Sequence, residues 1–232
     1  MPITVLAIGA HAADMEFTCG QALASAVRRG GHAALLHLTL GEAGHPRLSR
    51  AAYAIQKKRE AETAAQRLGA SMRYFDYPDA LLPYNDEVAL KICDVIREVR
   101  PSVVITHWGG SSHKDHQNTH YLVNDAIFYA GLPAIDRPAG PAHAVRELFY
   151  AENWEDAKQF EPDTYLDCTD VYDTWLFAAQ SYELFRGGLS SFRYADYYEA
   201  LTITRGALGG FPRAIALRSA WGRTRRLSAL PE

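Results

Sequence analysis

A chain of 232 residues with 48% hydrophobic and 22% charged side chains can close one sizeable core, which favours a single domain. Its formal charge of -3 asks for no polyanionic partner, so nucleic acid and anionic membrane are set aside, and the basic stretch from Arg213 to Arg226 reads as a solvated terminal segment. Three widely spaced cysteines (Cys19, Cys93, Cys168) argue against a disulfide framework, the apolar start is too short for a signal-peptide core, and no apolar run approaches the ~20 residues that span a bilayer, so a cytoplasmic protein is expected.

Ile3–Ile8, ended by Gly9, has the pattern of a buried strand, and Asp14–Arg29 carries apolar residues at helical spacing up to a stop at Gly30-Gly31. Ala33–Leu40 reads as a second strand. A polar loop then leads into a helix over Arg50–Leu68, with a charged face and a glycine stop at Gly69. Arg73–Tyr77 is a third strand candidate, and Glu87–Val99 is a helix with Val88, Ile92, Val95 and Ile96 on one face. Val103–Thr106 repeats the character of the first strand and opens into a loop rich in glycine, serine and histidine.

Beyond Tyr129, Pro133, Pro138 and Pro141 break the chain; Leu148–Tyr150 reads as one more strand, and Val171–Phe185 and Tyr194–Arg205 as helical. The spacing of Trp175, Tyr182 and Phe185 suits the core face of a helix better than the wall of a sugar site. Alternating short strands and amphipathic helices imply right-handed βαβ crossovers. The expectation is therefore an α/β, Rossmann-like single domain over 1–232, with a mainly parallel central sheet flanked by helices. Residues 130–232 would supply substrate-side loops and C-terminal helices.

In such a sheet, ligands bind outside the carboxyl ends of the strands. Two polar clusters fall there: His11-Ala12-Ala13-Asp14-Met15-Glu16 after the first strand, and His113-Lys114-Asp115-His116 after the strand ending at His107. Neutral imidazoles with a carboxylate suit Zn(II), and three protein ligands with one position left for water make a catalytic rather than a structural site. Spacing alone leaves a second reading open, in which His11 is a loop or capping residue and Asp14 faces the helix dipole. A nucleotide-binding domain is a further rival, weakened because the first loop has neither GxGxxG nor Walker glycines.

At these residues the chain resembles the PIG-L or LmbE-like deacetylase family, from about Ile3 to Val123. The first box reads Ala10-His11-Ala12-Ala13-Asp14-Met15-Glu16, where the family pattern is AHPDDxE. Further matches are Thr39-Leu40-Gly41-Glu42-Ala43-Gly44, Lys58-Arg59-Glu60-Ala61-Glu62 with Leu68-Gly69, Arg100-Pro101, and the HxDH box His113–His116. The resemblance implies one Zn2+ per chain held by His11, Asp14 and His116. It implies that His113 stabilises an oxyanion or protonates a leaving amine and that Asp115 orients it, which would raise the imidazole pKa toward its charged form. Arg59 matches a substrate-contacting arginine, against the plainer reading of a solvent-facing helix residue. The expected substrate is a small N-acylated molecule, such as an N-acetyl amino sugar; assembly into a homo-oligomer is left open.

One departure bears on chemistry. The family's first aspartate, the general base, is replaced here by Ala13, and Ala12 stands where proline is usual. An alanine cannot take a proton, and general-base catalysis is worth ~10² to 10⁴-fold. Glu16, Glu42 and Asp115 are the nearest replacement carboxylates by motif, or the substrate supplies the base. The alternative is a catalytically impaired zinc-binding pseudoenzyme that recognises a ligand without efficient turnover.

Overall fold

The computed structural model describes residues 2–156, 158–220 and 225–231. Positions 221–224 of the basic stretch lie outside the described residues. The chain begins with β1 (Thr4–His11), α1 (Asp14–Arg28), β2 (His32–Thr39), α2 (Arg50–Leu68), β3 (Ser71–Tyr74), α3 (Asp86–Val99) and β4 (Val103–His107). It continues with α4 (Lys114–Gly131), β5 (Glu147–Ala151), β6 (Thr164–Asp167), α5 (Tyr172–Ala179), α6 (Glu183–Arg186), α7 (Tyr194–Gly209), β7 (Ala214–Ser219) and β8 (Arg225–Leu227).

The strands form one sheet in the order β3-β2-β1-β4-β5-β7-β6-β8. β1 through β5 pair in parallel, and β7 pairs antiparallel to both β5 and β6. The sheet is thus mixed, parallel where the sequence alternates strand and helix. β1 is buried on both faces: Val5 and Ala7 join the core beneath α1, while Leu6 and Ile8 join that beneath α3 and α4. That explains its continuous apolar run. Local signals set the helix ends: Ser49 accepts the N–H of Ala52, Asn85 accepts that of Val88, and Gly69 closes α2 at φ 71.

Four expectations are corrected. The stretch from Arg213 to Arg226, read as a solvated terminal segment, contributes β7, whose Ala214–Leu217 are buried between β5 and β6; its apolar run is masked by the arginines on either side. The loop after β4 is short, because His113 caps α4 and the second box forms that helix's first turn. The first two turns are polar, so the apolar period is hidden until Leu122 and Val123. The third strand is Ser71–Tyr74 rather than Arg73–Tyr77; an exposed edge strand carries little burial pattern. The helix read over Val171–Phe185 is broken into α5 and α6, although Trp175, Tyr182 and Phe185 are indeed core. Trp175 lies against α1 at Gly20, where a Cβ would stand 2.9 Å from Cδ1 of the indole. No helix among the described residues is long and apolar enough to cross a membrane.

Candidate metal centre

Because β1 and β4 are neighbours, their carboxyl ends bring the two polar boxes together. His11 ends β1, Asp14 begins α1, and His116 lies in the first turn of α4. The turn between His11 and Asp14 is tight: Ala13 adopts φ 98 and ψ -30, where a non-glycine residue is strained by ~1–3 kcal/mol. Nδ1 of His11 lies 3.1 Å from Oδ2 of Asp14, Nε2 of His116 lies 3.3 Å from the same oxygen, and the two nitrogens are 3.3 Å apart. Bonds of about 2.0–2.1 Å to a tetrahedral zinc ion put ligand atoms roughly 3.3 Å apart, so these three atoms fit one face of such a site.

The far side of each imidazole is also provided for. Nε2 of His11 is 3.1 Å from Asp79 Oδ1 and 3.5 Å from Asp115 Oδ2, and Nδ1 of His116 is 3.2 Å from the Ser111 hydroxyl. A proton on those outer nitrogens leaves the inner ones as lone-pair donors, the arrangement that fixes metal-binding histidines. Asp14 Oδ2 also accepts the backbone N–H of His11 at 2.8 Å.

The electrostatics follow from this crowding. Burial opposes charge on His11, yet Asp14, Asp115 and Asp79 outweigh it and hold its pKa well above the ordinary imidazole value. Burial likewise opposes ionisation of Asp14, but His116, His11 and His107 hold it well below the carboxylate range. His107, buried and stacked on His116 at 4.0 Å, is pushed down to about 3 by burial and by His116.

His113 differs from expectation. Its pKa is lowered, by burial first and then by His11 and His116, so the neutral ring prevails at neutral pH. Its Nδ1 accepts the backbone N–H of Asp115, which leaves Nε2–H as the donor. The Asp115 carboxylate is directed elsewhere, accepting the N–H of Ala80 at 2.8 Å and facing His11.

The replacement carboxylates are not equivalent. Glu16 is fully buried, bonded by the hydroxyl of Tyr182 and 3.3 Å from Nε2 of His37, in the core rather than in the cavity wall. Glu42 is half-buried on the loop after β2; its Oε1 accepts the N–H of Asp79 at 3.0 Å and lies 3.3 Å from Arg50. Arg59 faces solvent. Two residues earlier, about 200° around α2, Lys57 is buried and lines the cavity instead.

Sequence reasoning did not single out Asp79, His107, Lys57 or Glu155. His107 ends a strand at the sheet's carboxyl edge, and Lys57 precedes the quoted Lys58-Arg59 pair; both offered a positional signal. Asp79 and Glu155 lie in irregular loops and offered none. The cavity over the triad has a volume of about 330 Å³. Its lining includes Phe17, Tyr53, Trp154, Tyr194 and Tyr198, so part of the aromatic-rich second half does face the site.

Comparison with known proteins gives three results. The PIG-L family profile, described as GlcNAc-PI de-N-acetylase, matches residues 6–127. Among curated proteins, the 4-oxalmesaconate hydratase of Pseudomonas putida is 26% identical over 178 residues, covering 73% of this chain and 69% of the relative. The diacetylchitobiose deacetylase of Thermococcus kodakarensis is 28% identical over 222 residues, covering 83% and 80%. Among solved structures, the 4-carboxy-2-hydroxymuconate hydratase of Pseudomonas putida superposes with a TM-score of 0.86 at 23% identity, covering 95% of this chain and 97% of the other.

Proposed function

The chain belongs to the PIG-L family, and from that membership we propose that it is a zinc-dependent hydrolase that removes an acyl group from the nitrogen of a small polar molecule. The observation that carries this reading is the triangle of His11 Nδ1, Asp14 Oδ2 and His116 Nε2, with the carboxylates of Asp79 and Asp115 facing the outer nitrogen of His11 and the Ser111 hydroxyl that of His116. When bound there, zinc would supply Lewis-acid polarisation of the acyl oxygen and activation of water.

The residues do the rest. Water adds to the acyl carbon, the C–N bond breaks, the acid keeps the water oxygen and the amine leaves with a proton. His113, through Nε2–H, donates to the developing oxyanion as a neutral imidazole. Glu42 takes the water proton in place of the absent aspartate. Of the three motif carboxylates it is the half-buried one, on a loop whose Gly41 and Gly44 line the cavity. Glu16 and Asp115 are both fully buried, whereas Glu42 is partly exposed and its contacts with Asp79 and Arg50 use Oε1 alone.

A second reading is supported by the hydratase relatives: addition of water across an activated C=C bond, with the same ligands and donor. It needs no leaving-group proton. The two are separated by assaying zinc-loaded protein for amine release from N-acetyl amino sugars and for loss of alkene absorbance from unsaturated carboxylates. Purified protein is expected to carry about one zinc per chain, lost in His116→Ala and in Asp14→Ala. Stoichiometric metal retained in either variant would mean that the ligands are wrongly assigned.

A further inference from the structure

Lys57 stands on the face of α2 that turns toward the cavity, and its side chain is buried. Nζ donates to the carbonyl of Ala12. Among the described residues, no carboxylate forms an ion pair with it. Its other close neighbours are the rings of Tyr182 and Tyr53, 5.1 and 5.9 Å from Nζ.

Burial pulls its pKa below the ordinary lysine value, while Asp14, Glu60, Glu16 and Asp79 oppose that from longer range. The hydrogen bonds of those carboxylates go to other groups, although Oε2 of Glu16 and Oε2 of Glu60 are buried without one. Asp14 faces the histidines, and Asp79 accepts from Ala43 and faces His11. Glu16 is held by Tyr182, and Glu60 by Gln56 and the N–H of Glu183. An ammonium has three donors, and one is used. Burying a charge without a direct partner is costly, and an arriving anion recovers that cost.

We propose that Lys57 anchors a carboxylate of the substrate, so that the enzyme acts on a small carboxylate-bearing molecule whose reacting carbon lies over His11, Asp14 and His116. The inference rests on the reading of this cavity as a metal-dependent active site. Two donors remain for an acceptor, and a carboxylate supplies one together with a negative charge. A neutral sugar hydroxyl would accept a hydrogen bond but leave the ammonium without a directly paired anion, its four carboxylate neighbours acting only from longer range. The cavity volume of about 330 Å³ holds the class to small molecules.

The test is a cycle between ligand and protein. Binding of dicarboxylates from malonate to adipate, and of the monoamide of each, is measured by calorimetry on zinc-loaded wild type, Lys57→Met and Lys57→Arg. In the wild type, at least one dicarboxylate should bind about tenfold or more tightly than its monoamide, since the second carboxylate gains a charge-assisted contact. Lys57→Met should erase that preference. Lys57→Arg, which keeps the charge, should retain most of it.

The proposal is overturned if every wild-type dicarboxylate and monoamide pair binds within about twofold, if none binds, or if the preference survives in Lys57→Met. Zinc content is determined for each protein. A Lys57-dependent preference in protein that takes up no zinc would sink the metal reading and leave the carboxylate site standing. Zinc bound without any preference would do the reverse.

Discussion

The carboxylate of Asp79 lies 3.1 Å from Nε2 of His11, at the end of the ring opposite the nitrogen that faces Asp14 and His116. Asp79 is itself fixed, accepting the N–H of Ala43 at 2.8 Å, and its own N–H is taken by Glu42. The loops after β2 and β3 therefore decide which nitrogen of His11 is the lone-pair donor. Asp79→Ala should weaken zinc binding by ~10–100-fold in chelator competition, the usual scale for losing such a partner. Unchanged affinity would reduce Asp79 to a loop fastener.

Glu42 and Glu16 can be told apart by what each glutamine variant loses. Glu42→Gln should keep its zinc and lower turnover by ~10² or more on whichever substrate is consumed, as expected for a lost base. Glu16→Gln should leave turnover nearly intact and lower stability by about 1–3 kcal/mol, because the Tyr182 hydroxyl and His37 lose a buried anionic partner. The reverse pattern would make Glu16 the base.

Ala13→Asp restores a carboxylate at the family's base position. If the base is missing, hydrolysis of a small N-acetyl panel should rise by up to ~10²-fold with zinc still bound. If Glu42 already serves, the added charge beside Asp14 should change little or should hurt. Inactivity of both proteins on amide and alkene panels would favour a ligand-binding protein over an enzyme.

Asp156 supplies a pH dependence of stability outside the metal ligands. Its pKa is raised from 3.8 to about 7, by burial first, with Glu152 and Glu155 adding repulsion. Oδ2 accepts the N–H of Asn153 at 2.7 Å, while Oδ1 is buried without a hydrogen bond. A carboxyl whose folded pKa is raised favours folding in its protonated form. Its contribution is therefore complete below about pH 4 and is lost as pH rises through about 7. Asp156→Asn should flatten this fall in melting temperature between pH 4 and 7 and melt higher than wild type at pH 8. A variant that keeps the wild-type slope would acquit Asp156.

Gly20→Ala tests the packing of α5 on α1. The added methyl would meet the fully buried Trp175 ring at 2.9 Å, and the expected cost is about 1–3 kcal/mol in denaturant unfolding. Gly44→Ala, with nothing within 4 Å of the new methyl, is the control and should unfold at nearly the wild-type midpoint.

Sequence alone determined what is local. The apolar run of β1, the helix over Arg50–Leu68 with its glycine stop, and His11 at the end of the first strand are written in short-range period and capping, and each stands where that pattern placed it, whereas the box His113–His116, read as loop, opens α4. Only the tertiary structure decided what those residues meet. The pairing of β1 with β4 joins His11 to His116 across 105 residues, and α6 begins beside Tyr182, whose hydroxyl closes on Glu16 across 166. Lys57 rather than Arg59 reaches the cavity because of how α2 is rotated against α5 and α1, which its own charged face does not encode. Side-chain period reports that a surface is buried, whereas the partner across the gap is fixed by sheet order and helix packing, which sum contributions from the whole chain.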